Sequence, residues 1–184
     1  MSFICDEADV DVTRVHVGAK CVLHPKCSVS ISNAPKGSPP QVLVMIGERN
    51  ILDDMAVLSP AADGVPTTVL LTVGDNNLFE SGCVIKGKSI GNNNWFEPKC
   101  QVGDGVVIGD DCVIGTSVVV PPNTVLPNNS ILVRLPDGRI IRREQKEFAR
   151  KAKQVLQDKY IDAFTNPTSQ AYLPRNHRMK TKLP

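Results

Sequence analysis

A branched apolar residue or Phe that returns every six positions, a small or amidic residue four places after it, and a helical period confined to the C-terminal quarter together predict the fold class. The chain is expected to be all-β: a single strand wound as a three-sided prism of stacked coils, with one C-terminal α-helix. The unbroken series is Ile90, Phe96, Val102, Ile108, Ile114, Val120, Leu126 and Leu132. Earlier blocks keep the same step as Val17, Leu23, Val29, as Ile46, Leu52, Leu58, and as Val73, Phe79, Ile85. A helix repeats every 3.6 residues and a half-buried strand every second residue, so neither gives a six-residue period. Short flat sides joined by tight corners do, and three such sides make one coil.

Each element follows from the pattern. Phe3 to Val15 carries no strong hexad, so the repeat is expected to start near residue 12 and to run to about 134, within a β-helical unit placed at 1–134. Glycine follows the apolar residue at Gly18, Gly47, Gly74, Gly91, Gly103, Gly109 and Gly115, where the corner is expected to need unusual backbone angles. Val29 to Ile46 and Leu58 to Val73 span 17 and 15 residues in place of six. The extra chain, at 33–42 and 59–68, carries Pro35, Pro39, Pro40, Pro60 and Pro66 and reads as two loops leaving one vertex.

After Leu132 the period stops, and Leu135-Pro136-Asp137-Gly138-Arg139 reads as a turn opening a second unit, 135–184. Phe148, Ala149, Ala152, Val155, Leu156 and Tyr160 then form an apolar stripe on a helix expected over about 140–164. That stripe is expected to pack on the prism, leaving Arg142, Arg143, Lys146, Arg150 and Lys153 in water. Tyr172 to Pro184 reads as a basic tail.

Stacked coils align residues in columns about 4.8 Å apart, the spacing of neighbouring strands. Rungs are expected near Val17, Ile46, Val73, Ile90, Ile108 and Leu126. Asn50, Asn77 and Asn94 then form an amide ladder, Cys27, Ala56, Cys83 and Cys100 a column of small inward residues, and Asp53, Glu80 and Glu97 an acidic column at the corner with His24 beneath. Such carboxylates raise one another's pKa, hold a cation, accept hydrogen bonds from turn amides or meet a basic partner.

Composition excludes several trades. With 41% hydrophobic residues in 184 the chain buries one core, and with 4% aromatic residues it is a poor stacking platform for single-stranded nucleic acid. A net charge of +2 hides an asymmetry: residues 1–138 hold 9 Lys/Arg against 15 Asp/Glu, and residues 139–184 hold 12 against 4. An acidic body with a basic end suits a protein that binds proteins. No run approaches the roughly 18 apolar residues of a membrane span, and the start lacks the features of a signal peptide, so direct membrane insertion is not expected. A reducing cytoplasm, with all six cysteines as thiols, is.

The hexad, an aliphatic residue followed by Gly or a short acid and later a small residue, resembles the left-handed parallel β-helix, and the handedness follows from that resemblance. Enzymes of this class, hexapeptide acyltransferases and gamma-class carbonic anhydrases, depend on histidines. The chain has only His16, His24 and His177, with no His-x4-His spacing and no Cys-x2-Cys pair. His24 is the one candidate acyl-transfer base in the prism, and before Pro25 it reads as an exposed structural residue. No catalytic, cofactor or metal residue is therefore assigned. Gly87-Lys88-Ser89 ends like a phosphate-binding loop but lacks its glycine spacing and helix.

The stretches Val22-Leu23-His24-Pro25-Lys26, Ile46-Gly47-Glu48-Arg49-Asn50, Val73 to Glu80 and Gly91 to Glu97, with Leu173-Pro174-Arg175-Asn176-His177 and Lys180-Thr181, resemble the dynactin subunit 6 family. The resemblance implies a non-catalytic subunit of the dynactin pointed-end complex, in the cytoplasm and on the cytoskeleton, that helps dynein-dynactin bind cargo. Its implied partners are the second β-helix subunit (subunit 5 type), the pointed-end actin-related protein and the large zinc-containing subunit. The competing class is a homotrimeric acyltransferase or carbonic-anhydrase-like enzyme.

Overall fold

The computed structural model describes residues 1–31, 42–61 and 69–166, without the side chains of 148–150. The basic tail, His177, most of both loop insertions and the side chains of Phe148, Ala149 and Arg150 lie outside the described residues.

The strands come in threes. The first coil is β1 (Phe3–Ile4), β2 (Asp9–Val10) and β3 (Val15–Val17), and the second β4 (Val22–Leu23), β5 (Ser28–Val29) and β6 (Val44–Ile46). The third is β7 (Ile51–Leu52), β8 (Val57–Leu58) and β9 (Leu71–Val73), and the fourth β10 (Leu78–Phe79), β11 (Val84–Ile85) and β12 (Ser89–Ile90). The fifth is β13 (Trp95–Phe96), β14 (Gln101–Val102) and β15 (Val107–Ile108), and the sixth β16 (Val113–Ile114), β17 (Val119–Val120) and β18 (Val125–Leu126). Then come β19 (Ser130–Arg134), β20 (Ile140–Glu144) and one helix, α1 (Glu147–Thr165).

Every third strand pairs in parallel, which makes three sheets and a three-sided prism. The first face is β1-β4-β7-β10-β13-β16-β19, the second β2-β5-β8-β11-β14-β17, and the third β3-β6-β9-β12-β15-β18. The third-face register runs Val17, Ile46, Val73, Ile90, Ile108, Leu126, the column read from the hexads. Of the seventeen hexad residues only Val17 is more than marginally exposed. Within the core the Phe79 and Phe96 rings stack at 4.6 Å between centroids and 8° between planes, close to the strand spacing itself.

Four expectations are corrected. The prism begins at Phe3, not near residue 12: Ile4 and Val10 pair with Leu23 and Val29 and are buried. Val10 to Val17 is seven residues, and a turn in which Arg14 N and Val15 N both donate to Asp11 O absorbs the extra one and hides the period. The hexad glycines, secondly, are not the strained corner residues. Positive φ falls two residues later, at Lys20, Arg49, Asn76, Asn93, Gly105, Asp111 and Ser117. What Gly74 and Gly91 supply is closeness: a Cβ on Gly91 would lie 2.7 Å from Gly109 O, and one on Gly74 2.8 Å from Gly91 O.

Thirdly, residues 140–144 are a strand, not the start of the helix. β20 pairs antiparallel with β19 across the Leu135–Arg139 turn, where Gly138 has φ +88°. Ile140-Ile141-Arg142-Arg143 has no helical period, and Arg142 and Arg143 are exposed on a hairpin rather than on a helix. Lastly, α1 is rotated by about 100° from its expected apolar stripe: Tyr160 of that stripe does meet the prism, at His24, but Val155 and Leu156 do not. Gln157, Ile161 and Phe164 are buried, whereas Val155 and Leu156 are 54% and 70% exposed. Both insertions leave between the second and third faces, after β5 and β8.

Candidate functional site

The first face differs from the others on its outside. Residues preceding the inward hexad position point outward, and on this face they are Val22, Ile51, Leu78, Trp95, Val113 and Ile131, all apolar. The matching row on the second face includes Asp9, Ser28 and Gln101, and that on the third His16, Thr72 and Ser89. An apolar row on the outside of a sheet needs a cover, and α1 is that cover over the lower coils.

At its C-terminal end α1 is fixed by rings and by one hydrogen bond. Phe164 packs on Phe3 and His24 with centroids 5.2 and 5.0 Å apart, and the Tyr160 hydroxyl lies 2.7 Å from His24 Nε2. His24 is 3% exposed, so the expectation of an exposed corner histidine is corrected. The physical reason is α1 itself, which was expected to pack on the prism but whose Tyr160 and Phe164 come to rest on this corner. Burial pushes the Tyr160 phenol up to about 12, helped by the Asp53 and Asp54 carboxylates.

Further up, the contacts turn polar. Arg49 pairs with Asp158, Gln157 Nε2 donates to Arg49 O at 3.4 Å, and Lys153 Nζ donates to Asn93 O at 2.6 Å. Lys153, expected in water, is thus held against the corner. Burial pulls its ammonium down to about 8, against the opposing effect of Asp111 and Cys112.

Between this polar seam and the first face lies a groove of about 420 Å³. Ile51, Leu78 and Trp95 line one wall, Ala152, Leu156 and Tyr160 the other. Asp53 and Glu80 also border it. In the corner column Asp53 Oδ2 accepts from Ser81 Oγ at 2.7 Å, and Glu97 Oε2 accepts from Thr116 N and Oγ1 at 2.9 and 3.0 Å. Glu80 has no hydroxyl or cationic partner among the described residues. Burial raises its pKa, with Glu97 and Asp53 adding to the rise, while the nearby Trp95 indole opposes it. The Trp95 Nε1 atom is buried and reaches no acceptor in hydrogen-bond geometry.

The other predicted columns lie inside the prism. Asn50 Oδ1 accepts from Asn77 N and Nδ2 at 2.9 and 3.0 Å, Asn77 Oδ1 from Asn94 N at 2.9 Å, and Asn94 Oδ1 from Cys112 N at 2.7 Å. The ladder therefore runs mainly from side-chain oxygen to the backbone N–H of the next rung. Cys27, Ala56, Cys83 and Cys100 are fully buried, and all six cysteines are thiols. The Cys83 thiol is pushed up by its hydrogen bond with Cys100 and by burial, and burial pushes Cys21 up to about 11, so neither is a ready nucleophile.

Among the described residues one cluster offers metal-ligating atoms. His24, Asp53 and Asp54 bring theirs within 4.8 Å of one another, but the His24 Nε2 already faces the Tyr160 hydroxyl. His16 is exposed on β3 of the third face.

Residues 87–122 match the family described as bacterial transferase hexapeptide (six repeats). Dynactin subunit 6 of Dictyostelium discoideum is 41% identical over 107 residues, 58% of this chain and 50% of that protein. Dynactin subunit 6 of Danio rerio is 30% identical over 114 residues, 57% of this chain and 53% of that protein. The chain spans about half the length of these curated relatives. Among solved structures, the N-acyltransferase AntD from Bacillus cereus superposes with a TM-score of 0.61 at 15% identity, over 85% of this chain and 87% of that one. A hexapeptide transferase family protein from Anaplasma phagocytophilum superposes with a TM-score of 0.54 at 14% identity, over 93% and 92%. At such identities the solved structures show a shared fold and nothing of shared chemistry. The chain is a left-handed hexapeptide-repeat β-helix protein similar to dynactin subunit 6.

Proposed function

We propose that the chain is a non-catalytic subunit of the dynactin pointed-end complex, a structural adaptor that supports cargo binding by dynein-dynactin and transport along microtubules. The observation that carries this reading is the 41% identity over 107 residues to a protein named dynactin subunit 6. Supporting it, the one histidine suited to acyl transfer within the prism is buried under α1 and engaged by Tyr160. The partners in this reading are the second β-helix subunit (subunit 5 type), the pointed-end actin-related protein and the large zinc-containing subunit, in the cytoplasm and on the cytoskeleton. No nucleic-acid role is proposed. No helix among the described residues is long and apolar enough to cross a membrane.

Affinity purification of the tagged chain from native cytosol, with identification of co-purifying proteins, tests the proposal. The expected result is recovery of the β-helix partner and the other pointed-end subunits in near-equal amounts. A purified homotrimer that transfers acyl groups, or that binds zinc lost on His24→Ala, would overturn it in favour of a hexapeptide acyltransferase or a gamma-carbonic-anhydrase-like enzyme.

A further inference from the structure

Among the described residues, Ala152, Val155 and Leu156 of the apolar stripe on α1 are exposed, and Ala152 and Leu156 border an apolar groove. Ala152, Leu156 and Tyr160 stand at i, i+4 and i+8, so they form one line along the helix, facing Ile51, Leu78 and Trp95, which climb one rung at a time. The two lines run side by side over about 12 Å of helix and about 10 Å of prism. Leu156, at 70% exposed, is the largest apolar group left open along them.

The groove's remaining polar groups carry a sign. Asp53 and Glu80 border it, Asp54 and Glu97 are their neighbours in chain and column, and only Glu80 among the three column acids has neither a hydroxyl nor a cationic partner among the described residues. Lys153 and Gln157, which line the groove from α1, already donate to backbone carbonyls. An occupant must therefore bring apolar bulk and positive charge together.

We propose that the groove between α1 and the first face is a docking site for an amphipathic helix of a protein partner, with its apolar stripe seated between Leu78, Trp95 and Leu156 and a Lys or Arg flank on Glu80 and Asp53. A helix laid parallel to α1 matches both walls, because its own i, i+4 spacing repeats that of Ala152, Leu156 and Tyr160. The carboxylate border repels an acidic helix and a phosphate backbone alike. This proposal goes beyond membership of any complex, and it is tested on the purified chain alone, so its failure leaves the co-purification result standing.

The probe is a fluorescein-labelled 18-residue helical peptide with Leu at i, i+4, i+8 and Lys along one flank, set against the same peptide with Glu in place of Lys. Fluorescence anisotropy with the full chain should show saturable binding of the Lys peptide, weakening with salt, and none of the Glu peptide. Leu156→Glu changes an exposed residue and should reduce the affinity by about tenfold or more, and Glu80→Gln should reduce it by about threefold to tenfold and flatten the salt dependence. Equal binding of both peptides, or Lys-peptide affinity unchanged in Leu156→Glu and Glu80→Gln, overturns the proposal. So does a chain that sediments as a dimer and becomes monomeric on Leu156→Glu, since the groove would then belong to a second copy.

Discussion

The two halves of α1 meet the same face in opposite ways. From Gln157 to Phe164 the helix buries Ile161 and packs Phe164 against Phe3 and His24. From Ala152 to Leu156 it is held through polar contacts at Lys153, while its apolar side chains stay open. The difference teaches that a stripe of apolar residues specifies a face that wants a cover without specifying which cover. The C-terminal half finds a ring cluster that fits, and that decides the rotation of the whole helix.

If this division holds, substitutions should grade in effect from one end to the other. Phe164→Ala removes the ring that joins α1 to Phe3 and His24 and should destabilise the chain by about 3 kcal/mol, read in urea denaturation followed by circular dichroism. A loss below about 1 kcal/mol would mean that the polar half carries the helix. Tyr160→Phe leaves the ring and takes away the hydroxyl facing His24, so about 1.5 kcal/mol should go, with little change in helix content.

Lys153 sharpens the comparison through pH. Its folded value of about 8 is below its ordinary 10.5. At neutral pH the fold therefore holds a partly desolvated ammonium, while from about pH 8 to 10.5 the unfolded chain binds a proton that the folded chain has released. Lys153 should accordingly add stability over that window, about 2 kcal/mol between pH 7.5 and 9.5, read as the difference between the chain and Lys153→Met, because the buried thiols Cys21, Cys83 and Cys112, pushed up in the fold, act in the opposite direction in both proteins. A denaturation midpoint that moves equally in both proteins would assign the effect to other groups. The smallest change belongs to Leu156→Ala, expected to cost under about 0.5 kcal/mol by the same denaturation measurement; a loss above 1 kcal/mol would show that this half is packed after all.

The prism was legible because its interior repeats: a column such as Ile46, Val73, Ile90 and Ile108 needs only equal spacing to be found. The first coil escaped for want of one residue, the extra one between Val10 and Val17. The hairpin strand β20 escaped because Ile140 and Ile141 are too few to display a period of two. At the groove, Asp53 and Glu80 could be read into one column, whereas the outward row of Leu78 and Trp95 shows only when the position before each inward residue is read as well. Reading the residue before each inward hexad position, Val22, Ile51, Leu78, Trp95, Val113, Ile131, would have shown that one side of the prism is apolar outside as well as inside. His24 was misplaced for the same reason, since its burial depends on Tyr160 and Phe164, more than 130 residues away in sequence.

The antiparallel turn of β20 bears on how such a molecule stays finite. A prism whose every rung is parallel could grow by adding another copy's first coil to its last, and repeated head-to-tail it would become a fibre. Here the last strand of the first face already has a neighbour running the wrong way for a further parallel rung, and that neighbour ends in Arg142, Arg143 and Glu144. End-to-end polymerisation is thereby blocked on one of three edges, enough to spoil the match of the whole triangle, so the chain carries its own terminator within the same hydrogen-bonding scheme that builds it.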